Sequence, residues 1–133
     1  MQHPKPTKQE LTEAIYKTVP DLIKPNLKML FVGINPGLYT AAIGHHFGRP
    51  GNRFWPALFA AGFTPHLFSP YDSARLLDLG FGITNMVKRT TLRADELTRE
   101  ELVTGGKDLV ETIKNYTPQM VAILGIDSYR KAF

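Results

Sequence analysis

A short apolar run that ends in a glycine turn constrains this chain more than any other feature. Met29 to Val32 are consecutive apolar residues, the pattern of a strand buried on both faces of a parallel sheet. Gly33, Pro36 and Gly37 then end the strand and present the polar side chain of Asn35. Ligands bind at the carboxyl ends of the strands in open α/β sheets, so Asn35 is predicted to lie in the functional site.

The chemistry open to Asn35 is narrow. An amide does not ionise near neutral pH, so it can orient a water molecule or hydrogen-bond a substrate, but it cannot supply a proton or act as a nucleophile. The chain has no cysteine, which excludes a disulfide framework and a cysteine-based zinc site. The phosphate-binding patterns GxGxxG and GxxxxGK[ST] and the nucleophile pattern GxSxG are also absent from the sequence.

Helices and strands are predicted to alternate along the chain. Threonine followed three residues later by glutamate is a capping box, and it predicts helices that begin at Thr7 and Thr98, the first ending near Pro20. Strands are expected at 29–33, 81–84 and 120–124, a long loop at 34–51, and further helices after Asn52, Ser69 and Asp127. Such alternation predicts a parallel sheet with helices on both faces, a three-layer α/β/α sandwich.

A second amide and an aromatic ring accompany Asn35. Asn85 follows the second predicted strand as Asn35 follows the first, and Phe47 lies in the long loop. Amides pair with the edges of nucleobases and aromatic rings stack on their faces, so a base turned out of its helix suits this set. Taken alone, Asn85 could equally be a turn-forming asparagine, and Phe47 could equally be an aromatic residue that packs within its loop. The adjacent His45 and His46 are expected to be ordinary loop histidines, with no metal site.

Acidic residues are unevenly distributed. The net charge is +4, and the 50 residues from Leu22 to Tyr71 contain no Asp or Glu. A second acid-free stretch runs from Leu79 to Ala94. The cations of these stretches include Arg49, Arg53, Lys88 and Arg89. Segments that lack acids and carry cations suit a polyanion such as a nucleic-acid backbone, although a chance gap in a mildly basic chain is the alternative.

Length and composition indicate one domain over residues 1–133. A chain of 133 residues with 43% hydrophobic content can bury one core, and its apolar runs are shorter than a membrane span. The first residues lack the apolar segment of an export signal. We therefore expect a protein that works inside the cell without a membrane, in the cytoplasm with the nucleoid in a prokaryote or in the nucleus in a eukaryote.

Three motifs together are familiar. GINPG (33–37), GHHFGRPGNRFW (44–55) and GITNMVKRTT (82–91) resemble the thymine-DNA glycosylase and mismatch-specific uracil-DNA glycosylase family, and the resemblance covers nearly the whole chain. It implies a uracil-DNA glycosylase type of fold and a monofunctional hydrolase of base excision repair, with no cofactor or metal. The implied partner is double-stranded DNA with a G:U or G:T mismatch, from which uracil or thymine is cleaved at the N-glycosidic bond.

The resemblance also implies roles for individual residues. Asn35 matches the catalytic asparagine that holds the attacking water. Ile34, His46, Phe47, Asn85 and Thr91 match positions beside the extruded base, and Lys88, Arg89, Arg49 and Arg53 are expected to contact the DNA backbone. Without a carboxylate beside the water, turnover is expected to be slow and to favour bases that leave easily.

The sequence departs from the family at its end. Family members continue with a fourth strand and a second loop that enters the DNA, so the glycosylase-like domain is expected to be C-terminally incomplete. Two other functions therefore stay open at this point. One is a non-catalytic module that binds nucleic acid or nucleobases, and the other is a hydrolase of free nucleosides or nucleotides on a similar sheet.

Overall fold

The fold is built on a three-stranded parallel sheet in the computed structural model, which describes residues 3–133. The strands are β1 (Met29–Gly33), β2 (Phe81–Asn85) and β3 (Val121–Ile123). They lie in the order β2-β1-β3, and Phe31 of β1 is paired with Ile83 on one side and Ala122 on the other. The parallel sheet predicted from the alternation of helices and strands is confirmed.

Helices connect the strands, as the capping residues predict. The α-helices are α1 (Lys8–Glu13), α2 (Leu38–Ile43), α3 (Phe54–Ala60), α4 (Arg99–Tyr116) and α5 (Ile126–Ala132), and 3₁₀ helices cover Ala14–Tyr16, Pro70–Leu79 and Ala94–Glu96. Both predicted capping boxes are formed, since the hydroxyls of Thr7 and Thr98 accept from the N–H groups of Glu10 and Glu101 at 3.1 Å. Within residues 3–133, none of the helices has the length and apolar character needed to cross a membrane.

Successive residues of β1 point into opposite layers. Leu30 and Val32 are fully buried in a cluster that includes Leu102 and Leu109 of α4. Phe31 points to the other face, in a cluster formed with α3, β2, the 3₁₀ helix at 70–79 and the segment just before that helix: Trp55, Leu58, Phe68, Leu76 and Ile83. Each buried side chain of this size contributes roughly 1.5–3 kcal/mol, so both layers hold the sheet. The predicted three-layer α/β/α sandwich is confirmed.

The structure corrects several predicted boundaries. The long loop expected at 34–51 contains α2, whose residue Ala41 packs against Ala14 and Val19. The first helix ends at Glu13 and continues only as a 3₁₀ turn, well short of Pro20. The segment opened by Ser69 is a 3₁₀ helix, β2 extends to Asn85, and β3 is shorter than predicted. Glycines on both sides of α2 hid its short apolar pattern, since glycine ordinarily indicates a loop.

Backbone hydrogen bonds join the two loops that follow β1 and β2. Met86 and Val87 donate to the carbonyls of Gly33 and Ile34 at 2.8 and 2.9 Å, and Thr91 donates to Pro36 at 3.1 Å. The loop after β1 is therefore held against the segment after β2 at the carboxyl edge of the sheet. α4 supports the second segment from behind, because Gly105 lies against the backbone of Met86.

Replacing Gly105 by Ala tests this support. An added Cβ would lie 2.3 Å from the carbonyl oxygen of Met86, so α4 or the 86–87 backbone must move. Overpacking of this kind costs roughly 1–3 kcal/mol, more than alanine gains from its better helix propensity. Urea unfolding should show a lower free energy of unfolding for Gly105→Ala, whereas Thr104→Ala, at an exposed position of the same helix, should change little. Equal stability of Gly105→Ala and the wild type would contradict the close contact.

Candidate active site

The side chain of Asn35 is anchored through its nitrogen. Nδ2 donates to the carbonyl oxygen of Arg89 at 2.9 Å and to the hydroxyl of Thr91 at 2.8 Å, with a longer bond to the carbonyl of Pro36 at 3.3 Å. Carbonyl oxygens only accept hydrogen bonds, so the NH₂ group must face them. The amide oxygen Oδ1 is consequently turned away from these partners, and it is the atom left to accept a hydrogen bond from a ligand or a water.

Thr91 fixes the direction of this bond. Its hydroxyl donates to the carbonyl of Arg93 at 2.8 Å, so its oxygen lone pairs are left to accept from Asn35. The residue is 1% exposed, and its backbone is tied to Pro36. Thr91 therefore holds the Asn35 amide from behind. In the described chain this hydroxyl contacts Asn35 and Arg93 rather than an open pocket.

Asn85 and Phe47 meet at Gly33. A Cβ built on Gly33 would lie 2.5 Å from the Oδ1 of Asn85 and 3.4 Å from the ring of Phe47, so only glycine leaves room for both. Asn85 is 6% exposed, and its side-chain amide makes no hydrogen bond to another residue in 3–133. Within residues 3–133 no buried side-chain nitrogen or oxygen lacks a hydrogen-bond partner, so the amide atoms of Asn85 are open to solvent rather than sealed in the core. Asn85 is therefore available to pair with a polar ligand edge.

Phe47 is held rigidly in an unusual backbone conformation. Its φ angle is 52°, in the left-handed region that residues other than glycine rarely adopt. One face of the ring stacks on Phe54, with the ring centroids 4.1 Å apart. Strained residues of this kind concentrate at functional sites, where the surrounding structure over-determines them. Gly33, the ring of Phe47 and the amide of Asn85 thus form a site that suits a flat ring with hydrogen-bonding edges.

His46 and Ile34 secure this loop from the protein side. The His46 side chain is 3% exposed, and its Nε2–H donates to the carbonyl of Pro20 at 2.8 Å. Burial lowers the pKa of His46, so the imidazole is neutral near pH 7. Trp55 donates to the backbone carbonyl of His46 at 3.2 Å. The Ile34 side chain packs against Gly125, just after β3, while its carbonyl belongs to the loop junction.

The four cations predicted to contact the DNA backbone differ in whether an acidic side chain binds them. The Lys88 ammonium donates to Asp21 at 3.0 Å, to the hydroxyl of Thr84 and to the carbonyl of Asn85. Arg89 forms a bidentate pair with Glu101, with N–O distances of 2.8 and 2.9 Å. Lys88 and Arg89 thus already have anionic partners. Arg49 and Arg53 are exposed, and neither forms an ion pair within residues 3–133.

Two acidic partners in this arrangement were not predicted. Asp21 lies 67 residues from Lys88 in the sequence, so no local pattern indicates the pair. The capping pattern predicts only that Glu101 caps α4, yet Glu101 also holds Arg89, whose carbonyl accepts from Asn35. In the part of the chain that the structure describes, no group of three or more His, Cys, Asp or Glu side chains could hold a metal ion.

One comparison with known protein families adds to this geometry. A family model described as the uracil DNA glycosylase superfamily matches residues 20–133. The matched region contains β1, β2 and β3 and every residue discussed around Asn35. It leaves out only the first residues of the chain, which include α1.

The pairing of Glu101 with Arg89 predicts a particular response to acid. Hydrogen bonds from Arg89, and then from the Thr98 backbone, lower the pKa of Glu101 from 4.5 to about 2. A carboxyl whose pKa is lowered in the folded state stabilises the fold above its unfolded value, and that stabilisation is lost as the pH falls from 4.5 towards 2. Glu101→Gln retains a capping side chain but cannot titrate. Its free energy of unfolding, measured in urea between pH 5 and pH 2, should therefore fall less steeply than that of the wild type.

Glu100→Gln is the matched control, since Glu100 is an exposed neighbour without an ion pair in the described chain. It should follow the wild-type pH profile. Identical profiles for Glu101→Gln and the wild type would show that the Arg89 pair does not persist in solution.

Proposed function

The chain belongs to the uracil DNA glycosylase superfamily, and we propose that it is a mismatch-specific glycosylase that removes uracil or thymine paired with guanine in double-stranded DNA. Members of the superfamily are DNA glycosylases, hydrolases of base excision repair that act on DNA. The observation that carries the proposal is the Asn35 amide, bound through its nitrogen with its oxygen left as an acceptor.

Asn35 would position the attacking water. Its Oδ1 accepts a hydrogen bond from the water, which directs a water lone pair towards C1′ of the deoxyribose. As the bond from C1′ to the base nitrogen breaks, its electron pair leaves with the base. The water oxygen joins C1′ and its proton passes to solvent, which yields an abasic sugar and a free base.

The leaving base must contribute much of the driving force. The hydrogen-bond partners of the Asn35 side chain belong to Pro36, Arg89 and Thr91, and none of them is a carboxylate that could accept a proton from the water. A weakly activated water attacks only when the sugar already has oxocarbenium character. We therefore expect slow turnover, and faster excision of 5-halogenated uracils, whose anions leave more easily.

Asn85 and Phe47 would hold the extruded base. The nearly buried Asn85 amide offers one donor side and one acceptor side, which complement the N3–H and a carbonyl of uracil or thymine. The face of Phe47 that does not stack on Phe54 is suited to stack on the pyrimidine.

Excision of uracil from a G·U duplex tests the proposal. In single-turnover reactions with excess protein, the labelled strand should become alkali-labile at the uracil. Asn35→Ala should lower the excision rate by a factor of a hundred or more while DNA binding is nearly unchanged, because an amide that orients water acts mainly in the transition state. The rate is read from strand cleavage on denaturing gels, and binding from fluorescence anisotropy.

Thr91 provides the matched pair of controls. Thr91→Ser keeps the hydroxyl that accepts from Asn35 and should stay active, whereas Thr91→Val removes it and should lose part of the excision rate. Binding to the duplex without any excision by the wild type would instead support a non-catalytic nucleic-acid module. Release of uracil from free deoxyuridine at a comparable rate would support a nucleoside hydrolase.

Salt dependence tests which cations meet the phosphates. Each phosphate contact contributes a slope of roughly −0.9 to log K against log salt. Arg49→Gln and Arg53→Gln should each make the slope less negative by roughly 0.9, the contribution of one phosphate contact. These guanidinium groups are exposed and have no ion pair within residues 3–133 that must first be broken. Lys114→Gln is the control, since Lys114 lies near the C-terminal end of α4, away from the carboxyl edge of the sheet, and pairs with Glu111. An unchanged slope in both arginine variants would remove these residues from the DNA path.

A further inference from the structure

A second cavity shares a wall with the candidate base site. This cavity, called here the outer cleft, has a volume of about 760 Å³ and lies between the loop at 47–56 and the segment at 67–72. Phe47 lines it and also meets Asn85 at Gly33. The outer cleft therefore lies next to the place where an extruded base would be held.

Four side chains that can be positively charged gather around the outer cleft. His3, Lys5 and Arg49 line it. The ring of His45 lies against that of Tyr71, another lining residue, with the two centroids 4.6 Å apart. Cations from the first residues of the chain and from the loop after α2 thus meet at one cavity.

Acidic side chains do not neutralise this cluster. Asp72 is the acidic residue among the groups that line the outer cleft. Its carboxylate already accepts from the backbone N–H of Ser69 at 2.9 Å and lies 3.9 Å from Arg75. In the described part of the chain, Lys5 and Arg49 form no ion pair. Cations gathered without an acid repel one another, and a bound anion removes that repulsion.

Tyr71 holds the His3 imidazole at the wall of the outer cleft. The two rings are stacked, with centroids 3.5 Å apart and planes 8° from parallel. Stacking occupies a face of the imidazole and leaves the two nitrogens at its edge available for hydrogen bonds. The π face of a phenol ring also attracts a cation. His3 can therefore gain a proton and donate to an anion without leaving Tyr71.

His45 places a second imidazole beside the first. Burial lowers the pKa of His45, and the neighbouring His3 lowers it further, so His45 is neutral near pH 7 in the free protein. The other charged groups at the cleft are Lys5, Arg49 and Asp72. An anion bound between the imidazoles would favour their charged forms, so its binding takes up protons and strengthens as the pH falls.

We propose that the outer cleft binds a phosphodiester of the DNA strand that carries the extruded nucleotide. Its ligands are the four cationic groups around the cleft: His3, Lys5, His45 and Arg49. Phosphates lie on the outside of a duplex, so this contact leaves the neighbouring bases paired and stacked. The assignment of DNA as the ligand rests on the proposed function, and the wall shared at Phe47 puts the phosphate beside the extruded nucleotide. The first residues of the chain, which the family model does not match, thus belong to the DNA-binding surface.

Neutral linkages in the DNA test this contact. The probe is a labelled G·U duplex in which a 2′-fluoro sugar at the uracil blocks cleavage, and binding is read from fluorescence anisotropy. Lys5→Gln should make the slope of log K against log salt less negative by roughly 0.9, whereas Lys8→Gln, at an exposed lysine of α1, should leave it unchanged. Methylphosphonate, a linkage without charge, is then placed at single positions around the uracil. At one position on the uracil strand Lys5→Gln should lose its effect, because the phosphate that Lys5 contacts has been neutralised.

The pH dependence of binding tests the two imidazoles. Wild-type affinity for the probe should rise by roughly threefold or more from pH 7.5 to pH 5.5 at constant salt, because binding takes up protons. His3→Gln and His45→Gln should each flatten this rise. Tyr71→Phe keeps the stacking ring and should retain the rise, as should His66→Gln, the control at an exposed histidine that does not line the cleft. Wild-type profiles for both His3→Gln and His45→Gln, or an effect of Lys5→Gln that persists at every neutral linkage, would overturn the proposal.

Inorganic phosphate distinguishes a DNA strand from a free anion as the ligand. NMR titrations should show that the duplex raises the pKa of His3 and of His45. An equal rise with inorganic phosphate alone would assign the outer cleft to a free anion and overturn the strand assignment, as would loss of the Lys5→Gln effect only at linkages of the complementary strand.

Two outcomes keep this proposal distinct from the proposed function. Abasic-site formation by the wild type without any linkage-dependent effect of Lys5→Gln would overturn the outer cleft and leave the glycosylase standing. A linkage-dependent effect on the uracil strand without any excision would support the outer cleft and overturn the enzyme.

Discussion

The bond between Asn35 and the segment after β2 is the interaction on which the site depends. Its donor sits on the loop after β1, and its acceptors, the carbonyl of Arg89 and the hydroxyl of Thr91, sit on the other loop. A single amide thus links the ends of two adjacent parallel strands. Since both acceptors are themselves fixed, the amide oxygen is pre-organised before any ligand arrives, which avoids an ordering cost during binding.

Close approach of backbones makes this link possible. Gly33 leaves the space into which Asn85 reaches, and Gly105 allows α4 to lie against Met86, whose N–H donates to Gly33. A side chain at either glycine would separate elements that must stay in register for the two loops to meet. The two glycines therefore act on the same junction from opposite sides, one within the site and one behind it.

The sequence predicts the sheet well because its determinants are local. The apolar run at β1 and the glycine that ends it specify the strand to the residue, and the capping boxes specify the starts of α1 and α4. Contacts across the fold are not local. The Asn35–Thr91 bond spans 56 residues, and only the family resemblance predicts that both residues lie near one base. α2 was missed because its stabilisation comes from Ala14 and Val19, outside its own segment.

The acidic partners of the basic residues could not be predicted from the sequence. The acid-free stretches group Arg49, Arg53, Lys88 and Arg89 together. Asp21 lies just before the first stretch, and Glu101 lies seven residues after the end of the second. Folding brings those two acids back to Lys88 and Arg89. These cations are about half exposed, and an exposed ion pair contributes only roughly 0–1 kcal/mol, so the pairs would weaken a phosphate contact of Lys88 or Arg89 without preventing it. Lys88 also donates to the backbone carbonyl of Asn85, and Glu101 holds Arg89, whose own carbonyl accepts from Asn35. Two of these four cations therefore help to position the segment that anchors Asn35, and Arg49 and Arg53 have no acidic partner within residues 3–133.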